Sequence, residues 1–273
     1  MCLYRAIAAA GLSVILVSSA CSRTDHAATP AAATPQIETR ELEYRQGETV
    51  LKGFVAWDAS KTEKLPGVIV VHEWWGHNEH ARNQARRLAE AGYVGFALDM
   101  YGDGKVTVHP DSAQAFVTEA TKDPAVMMAR FTAAMEQLKQ DPHVDPERIG
   151  AIGYCFGGAV VLAAARAGMD VDAVGSFHGA LIPGPVDSGA VKARVLVQTG
   201  AADPMVPPDA VENFRKEMTG AGANFEIVSY PGVKHSFTNP NADHVGMDGL
   251  GYDADADRES WAKLLRMFAE VWS

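Results

Sequence analysis

Ile149-Gly150-Ala151-Ile152-Gly153-Tyr154-Cys155-Phe156-Gly157-Gly158-Ala159-Val160-Val161-Leu162-Ala163-Ala164-Ala165 runs from a short apolar segment through glycines into a longer run of small apolar residues. The first segment reads as a buried strand and the last as a helix, which leaves room only for a sharp turn between them. A residue at such a turn has a strained backbone, and Gly153 and Gly157, lacking Cβ atoms, let strand and helix approach each other around it. Cys155 then projects from the turn at the start of a helix. The unpaired N–H groups and partial positive charge there favour a thiolate. A free cysteine is also commonly a small buried hydrophobe, so the rest of the chain has to decide between the two readings.

A nucleophile on such an elbow needs an acid and then a histidine, in that chain order, each on a loop after a later strand. Arg194 to Thr199 reads as a strand and opens into the turn-rich loop Gly200-Ala201-Ala202-Asp203-Pro204-Met205-Val206-Pro207. Phe225 to Tyr230 reads as the next strand and opens into Pro231-Gly232-Val233-Lys234-His235-Ser236-Phe237. Alone, Asp203 could be a helix cap and His235 an ordinary loop residue. In this order and setting they point to a Cys155-His235-Asp203 triad.

Upstream, Ile37 to Tyr44 and Val50 to Trp57 flank Gln46-Gly47 and suggest an antiparallel pair opening a sheet. Gly67 to Val71 is apolar on both faces and reads as a central parallel strand, as do Val94 to Leu98, Ile149 to Ile152, Ala173 to Phe177, Val195 to Val197 and Phe225 to Val228. Helical faces fall between them: Ala81, Ala85, Leu88 and Ala89; Val126, Phe131, Met135 and Leu138; Val211, Phe214 and Met218. Alternation of this kind predicts a mostly parallel, doubly wound α/β sheet with its active loops at the carboxyl ends of the strands. A closing amphipathic helix, Arg258 to Trp272, turns Trp261, Leu264, Leu265, Phe268 and Val271 toward the domain.

At His72-Glu73-Trp74-Trp75-Gly76, Leu98-Asp99-Met100-Tyr101-Gly102, Gly153-Tyr154-Cys155-Phe156-Gly157-Gly158, Gly200-Ala201-Ala202-Asp203 and Lys234-His235-Ser236-Phe237 the chain resembles the dienelactone hydrolase family. These are cysteine-dependent α/β-hydrolases of esters and lactones, and the likeness runs from about Gly53 to Trp261. The resemblance implies an α/β-hydrolase fold, with Glu73 gating the resting thiol and the backbone N–H groups of Trp74 and Phe156 forming an oxyanion hole. It also places Trp75, Tyr101 and Asn239 at the substrate. Family members that open dienelactones hold a carboxylate with two arginines. Those places here read Gly102-Asp103-Gly104 and Asn239, so the expected substrates are neutral.

A chain of 273 residues, 47% hydrophobic, is long enough for one sizeable α/β domain plus an extension. Its net charge of −10 and the absence of a basic run argue against a nucleic-acid partner. Arg5, the apolar run Ala6 to Val17 and Ser18-Ser19-Ala20 read as an export signal over residues 1–20. Cys21 next to that run resembles a lipoprotein cleavage site, with ordinary cleavage after Ala20 as the alternative. Cleavage leaves Cys21 for a lipid and Cys155 for chemistry, and residues 21–36 as a flexible tether before the catalytic domain, 37–273. The expected location is the periplasm, with a lipid anchor to the bacterial outer membrane.

No metal or cofactor is expected. His72 and His77 lack the one-turn spacing of a zinc pair and Gly76 interrupts any helix there, and Asp253-Ala254-Asp255-Ala256-Asp257 is followed by Arg258 where a calcium loop has glycine. The latter reads as an acidic helix start. The expected protein is a monomeric hydrolase of small-molecule esters or lactones working through an acyl-thioester. The alternatives are a thioesterase or acyltransferase using the same residues, or a non-catalytic binding protein or thiol-based redox sensor.

Overall fold

In the computed structural model, Met1 and residues 34–273 are described, so nearly all of the expected export signal, most of the expected tether and Cys21 lie outside the described residues. Residues Pro35–Ser273 form one compact unit. Chain order within it is β1 (Ile37–Gln46), β2 (Thr49–Asp58), β3 (Leu65–Val71), α1 (Glu79–Glu90), β4 (Val94–Ala97), α2 (Pro110–Thr121), α3 (Pro124–Lys139), β5 (Val144–Tyr154), α4 (Phe156–Arg166), β6 (Ala173–Phe177), β7 (Arg194–Gly200), α5 (Pro208–Gly220), β8 (Phe225–Tyr230) and α6 (Ala254–Val271). The sheet runs β1-β2-β4-β3-β5-β6-β7-β8. β1 pairs antiparallel with β2, and β2 antiparallel with β4; every later pairing is parallel. This is the mixed sheet that the sequence predicts, with an antiparallel pair at the edge and continuous apolar strands in the centre.

All seven residues of β3 are buried, and α1 buries Ala81, Ala85, Leu88 and Ala89 against the sheet. α6 buries Leu264 and Phe268, while Trp261, Leu265 and Val271 pack on the same core only in part. Asp253 caps α6 by accepting from the N–H groups of Asp255 and Ala256, which is the acidic helix start read from the sequence. Gln198 ties that helix to the sheet: its amide donates to the Ser260 carbonyl at 3.0 Å and accepts from the Tyr230 hydroxyl at 2.8 Å, all three groups buried. α2 has no counterpart in the sequence reading. Among its side chains only Ala113 and Ala120 are buried.

The parallel order β3-β5-β6-β7-β8 brings the carboxyl ends of five strands to one rim. Glu73, Cys155, His178, Asp203 and His235 all lie on the segments that leave those ends.

Candidate active site

The elbow is built by close approach. A Cβ on Gly153 would overlap the carbonyl of Gly157, and one on Gly157 would overlap the carbonyls of Val71 and His72, so β5, β3 and α4 can meet only if both positions are glycine. Cys155 sits between them at φ 53°. Four described non-glycine residues have positive φ, and three of them, Cys155, His178 and Ser236, belong to this site. Strain of this kind persists only where the surroundings hold it, and it gathers where function needs a particular geometry.

Asp203 does two jobs with its two oxygens. Oδ1 accepts the N–H of Met205 at 2.8 Å and fixes the loop after β7, while Oδ2 faces His235 Nδ1 at 2.7 Å. His235 itself is held by a parallel bridge with Leu250. Its Nε2 is buried without a hydrogen-bond partner of regular geometry. Burial pushes the His235 pKa down, but the Cys155 charge, the Asp203 hydrogen bond and the Cys155 sulfur as acceptor outweigh it and raise the pKa to about 10. Of the three groups named from the sequence, Asp203 meets His235, and His235 lines the same cavity as Cys155.

Glu73 is also buried, at 1% exposure, and its carboxylate is held by two side chains. Ser236 Oγ donates to Oε1 at 2.8 Å and Asn239 Nδ2 to Oε2 at 2.6 Å. Asn239 thus meets Glu73 and does not line the cavity beside Cys155. Tyr101 is likewise off the cavity wall; its hydroxyl donates to the Trp74 carbonyl at 3.1 Å, and its ring stacks on Phe156 at 5.6 Å between centroids. Asp99 sets that loop by accepting four N–H groups, those of Lys52, Tyr101, Gly102 and Gly104. Trp75 is buried beside Trp74, and Trp74 is the tryptophan that faces the cavity. The N–H groups of Trp74 and Phe156 have no acceptor among the described residues, which leaves both available to a ligand.

His72 and His77 are hydrogen-bonded loop residues: each Nδ1 meets a carbonyl oxygen, that of Glu73 at 2.6 Å and of Leu98 at 3.1 Å. Burial lowers the His72 pKa to about 4, so it is neutral. His178 is the residue that the sequence reading missed. Fully buried at φ 40°, its Nδ1 accepts the Cys155 N–H at 3.1 Å, which makes Nε2 the donor to Thr238 Oγ1 at 2.9 Å. Its ring stands edge to face with that of His235 at 5.1 Å. Burial, with help from the neighbouring His235, holds its pKa well below the usual histidine range. The signal that could have found it is positional, since Phe177-His178-Gly179 leaves the carboxyl end of the strand next to the elbow.

Cys155 and His235 open on a cavity of about 900 Å³ between α2, α3, α4 and the segment Ala180–Pro185. Its wall is mostly apolar, from Val117, Met127 and Met128 on one side to Ala159, Val160 and Ala163 on the other. The guanidinium on this wall, Arg166, is engaged by Glu217 through Nε and Nη2. Lys105, His77 and Lys234 do not line it.

The model of the dienelactone hydrolase family matches residues 51–272. The chain belongs to the dienelactone hydrolase family. Among relatives, it is 30% identical over 210 residues to protein usf of Aquifex pyrophilus, covering 75% of this chain and 88% of that one. Among solved structures, a dienelactone hydrolase-like promiscuous phosphotriesterase from metagenomic libraries matches at 36% identity and TM-score 0.83, over 86% of this chain and 98% of the other. A provisionally named dienelactone hydrolase from Klebsiella pneumoniae matches at 27% identity and TM-score 0.71, over 86% and 99%. The fold is that of the α/β-hydrolases, and this dienelactone hydrolase family member is a hydrolase.

Proposed function

We propose that this protein hydrolyses uncharged carboxylic esters or lactones through an acyl-thioester on Cys155. The observation that supports this most is the 2.7 Å contact of Asp203 with His235 Nδ1, which leaves Nε2 for proton transfer on a residue that lines the same cavity as Cys155. The Cys155 thiol gives its proton to His235 as the sulfur becomes the nucleophile. The sulfur attacks the carbonyl carbon, and the carbonyl electron pair moves to oxygen, where the N–H groups of Trp74 and Phe156 receive it. Preset donors of this kind are worth roughly a hundredfold or more each in rate. As the carbon–oxygen bond breaks, His235 gives its proton to the leaving oxygen. Water then attacks the thioester while His235 takes its proton, and expulsion of the sulfur releases the acid and restores the pair.

The rest of the site acts through these groups. Asp203 orients the ring, His178 holds the Cys155 peptide while staying neutral, and Tyr101 fixes the Trp74 peptide. Glu73 is held by Ser236 and Asn239. The test is a panel of p-nitrophenyl esters, lactones and acyl-thioesters assayed with wild type and Cys155→Ala side by side. Turnover that depends on Cys155 supports the reading, and equal low activity in both proteins sinks it. Export is proposed on residues 1–20 and a lipid on Cys21; an N-terminus intact at Met1 in cells would refute export, and an unmodified mature Cys21 would refute the lipid.

A further inference from the structure

We infer that the cleft beside Cys155 is a channel for a straight acyl chain, so that the preferred substrates are esters of medium-chain, unbranched acids and not compact lactones. This rests on the thiol-hydrolase reading of the same site. The cavity wall follows α4 from its first residue, Phe156, through Ala159 and Ala163 to Ala167, just past its end. At the helical rise of about 1.5 Å per residue, that stretch spans roughly 16 Å, enough for an extended chain of roughly ten carbons. Ala159, Ala163 and Ala167 fall on one face at four-residue spacing, and their short side chains leave a trough opposite Met127 and Met128. Methionine moulds itself to an apolar ligand at little cost.

Chemistry decides which half of the ester lies in the trough. The leaving oxygen must come within hydrogen-bond reach of His235 Nε2 to receive its proton. The carbonyl oxygen must point to the N–H groups of Trp74 and Phe156. The remaining substituent of the carbonyl carbon, the acyl chain, is then the group directed along α4. Arg166 beside the far end has its charge matched by Glu217, so the chain does not end at an anion receptor.

The experiment is kcat/KM for p-nitrophenyl acetate, butyrate, octanoate and decanoate, all below aggregation, with wild type, Ala163→Phe and Ala167→Trp. Each buried methylene can raise kcat/KM by up to about fourfold, and a rise of at least about tenfold from acetate to octanoate is expected. Ala163→Phe should reduce the octanoate-to-acetate ratio by about tenfold or more. Ala167→Trp, farther from Cys155, should spare the butyrate-to-acetate ratio and reduce the decanoate-to-acetate ratio. The ordered cut-off separates a blocked channel from a protein that has merely lost its fold. A flat or falling chain-length profile with Cys155-dependent turnover overturns the channel alone. Activity that persists in Cys155→Ala overturns the thiol-hydrolase reading beneath it.

Discussion

Replacing Asn239 with leucine removes one of the two hydrogen bonds that clasp the Glu73 carboxylate and leaves Ser236 alone to hold it. Glu73 is 1% exposed, so water cannot take the vacated place without opening the site. A hydrogen bond to a charged group contributes about 1.5–3 kcal/mol net, and the leucine side chain is of similar size, so packing adds little. In a domain of this size each kcal/mol moves Tm by about 2–4 °C, which predicts a fall of roughly 3–12 °C. Glu73→Gln keeps the shape and removes the charge, so Asn239→Leu should cost much less in that background. The assay is urea denaturation of wild type, both single variants and the double variant. A coupling energy below about 0.5 kcal/mol, the range of independent sites, would show that Asn239 does not hold Glu73 and would refute the clasp.

Three further outcomes are expected. Because Asp203 helps hold the His235 pKa up at about 10, the imidazolium persists below that pH and is lost above it; Asp203→Asn should move the alkaline limb of kcat/KM to lower pH and cut kcat by roughly 10²- to 10⁴-fold, and an unmoved limb in a pH-rate profile would contradict the pairing. Gly157→Ala should lose at least about 2 kcal/mol in chemical denaturation, since the new methyl meets the carbonyls of Val71 and His72, whereas Gly220→Ala, with open space around it, should be neutral or stabilising. Of two matched esters, the neutral one should exceed the analogue with a carboxylate beside the scissile bond by about tenfold or more in kcat/KM, because Arg166 is already paired; a preference for the carboxylate that weakens with salt would contradict this.

The elbow and the central strands were legible because their physics is local. Buried parallel strands show as unbroken apolar runs, and a turn that needs glycine on both sides of a nucleophile shows as Gly153 and Gly157. α2 was not legible because it buries only the small Ala113 and Ala120 fully, with Phe116 and Val117 half-buried against the core, so its hydrophobic pattern is faint. His178 carries no motif; its contact with the Cys155 N–H exists only because β5 and β6 end side by side. Trp75, Tyr101 and Asn239 stand near the site in the chain, but which way each side chain points is settled by partners far away in sequence. The Tyr101 hydroxyl follows the Trp74 carbonyl and Asn239 follows Glu73. A motif read along the chain locates a loop better than it aims a side chain.

The central claim is that the acyl group passes through Cys155, and intact-protein mass spectrometry after rapid acid quench tests it most directly. Enzyme mixed with excess p-nitrophenyl octanoate should show, within the first turnover, the mass of one octanoyl group. Peptide mapping should place it on Cys155, and neutral hydroxylamine should remove it as it does a thioester. Asp203→Asn should accumulate more of it if slowed water activation limits release. An octanoyl group on any other residue, or a stoichiometric burst of p-nitrophenol that survives in Cys155→Ala, would contradict the account.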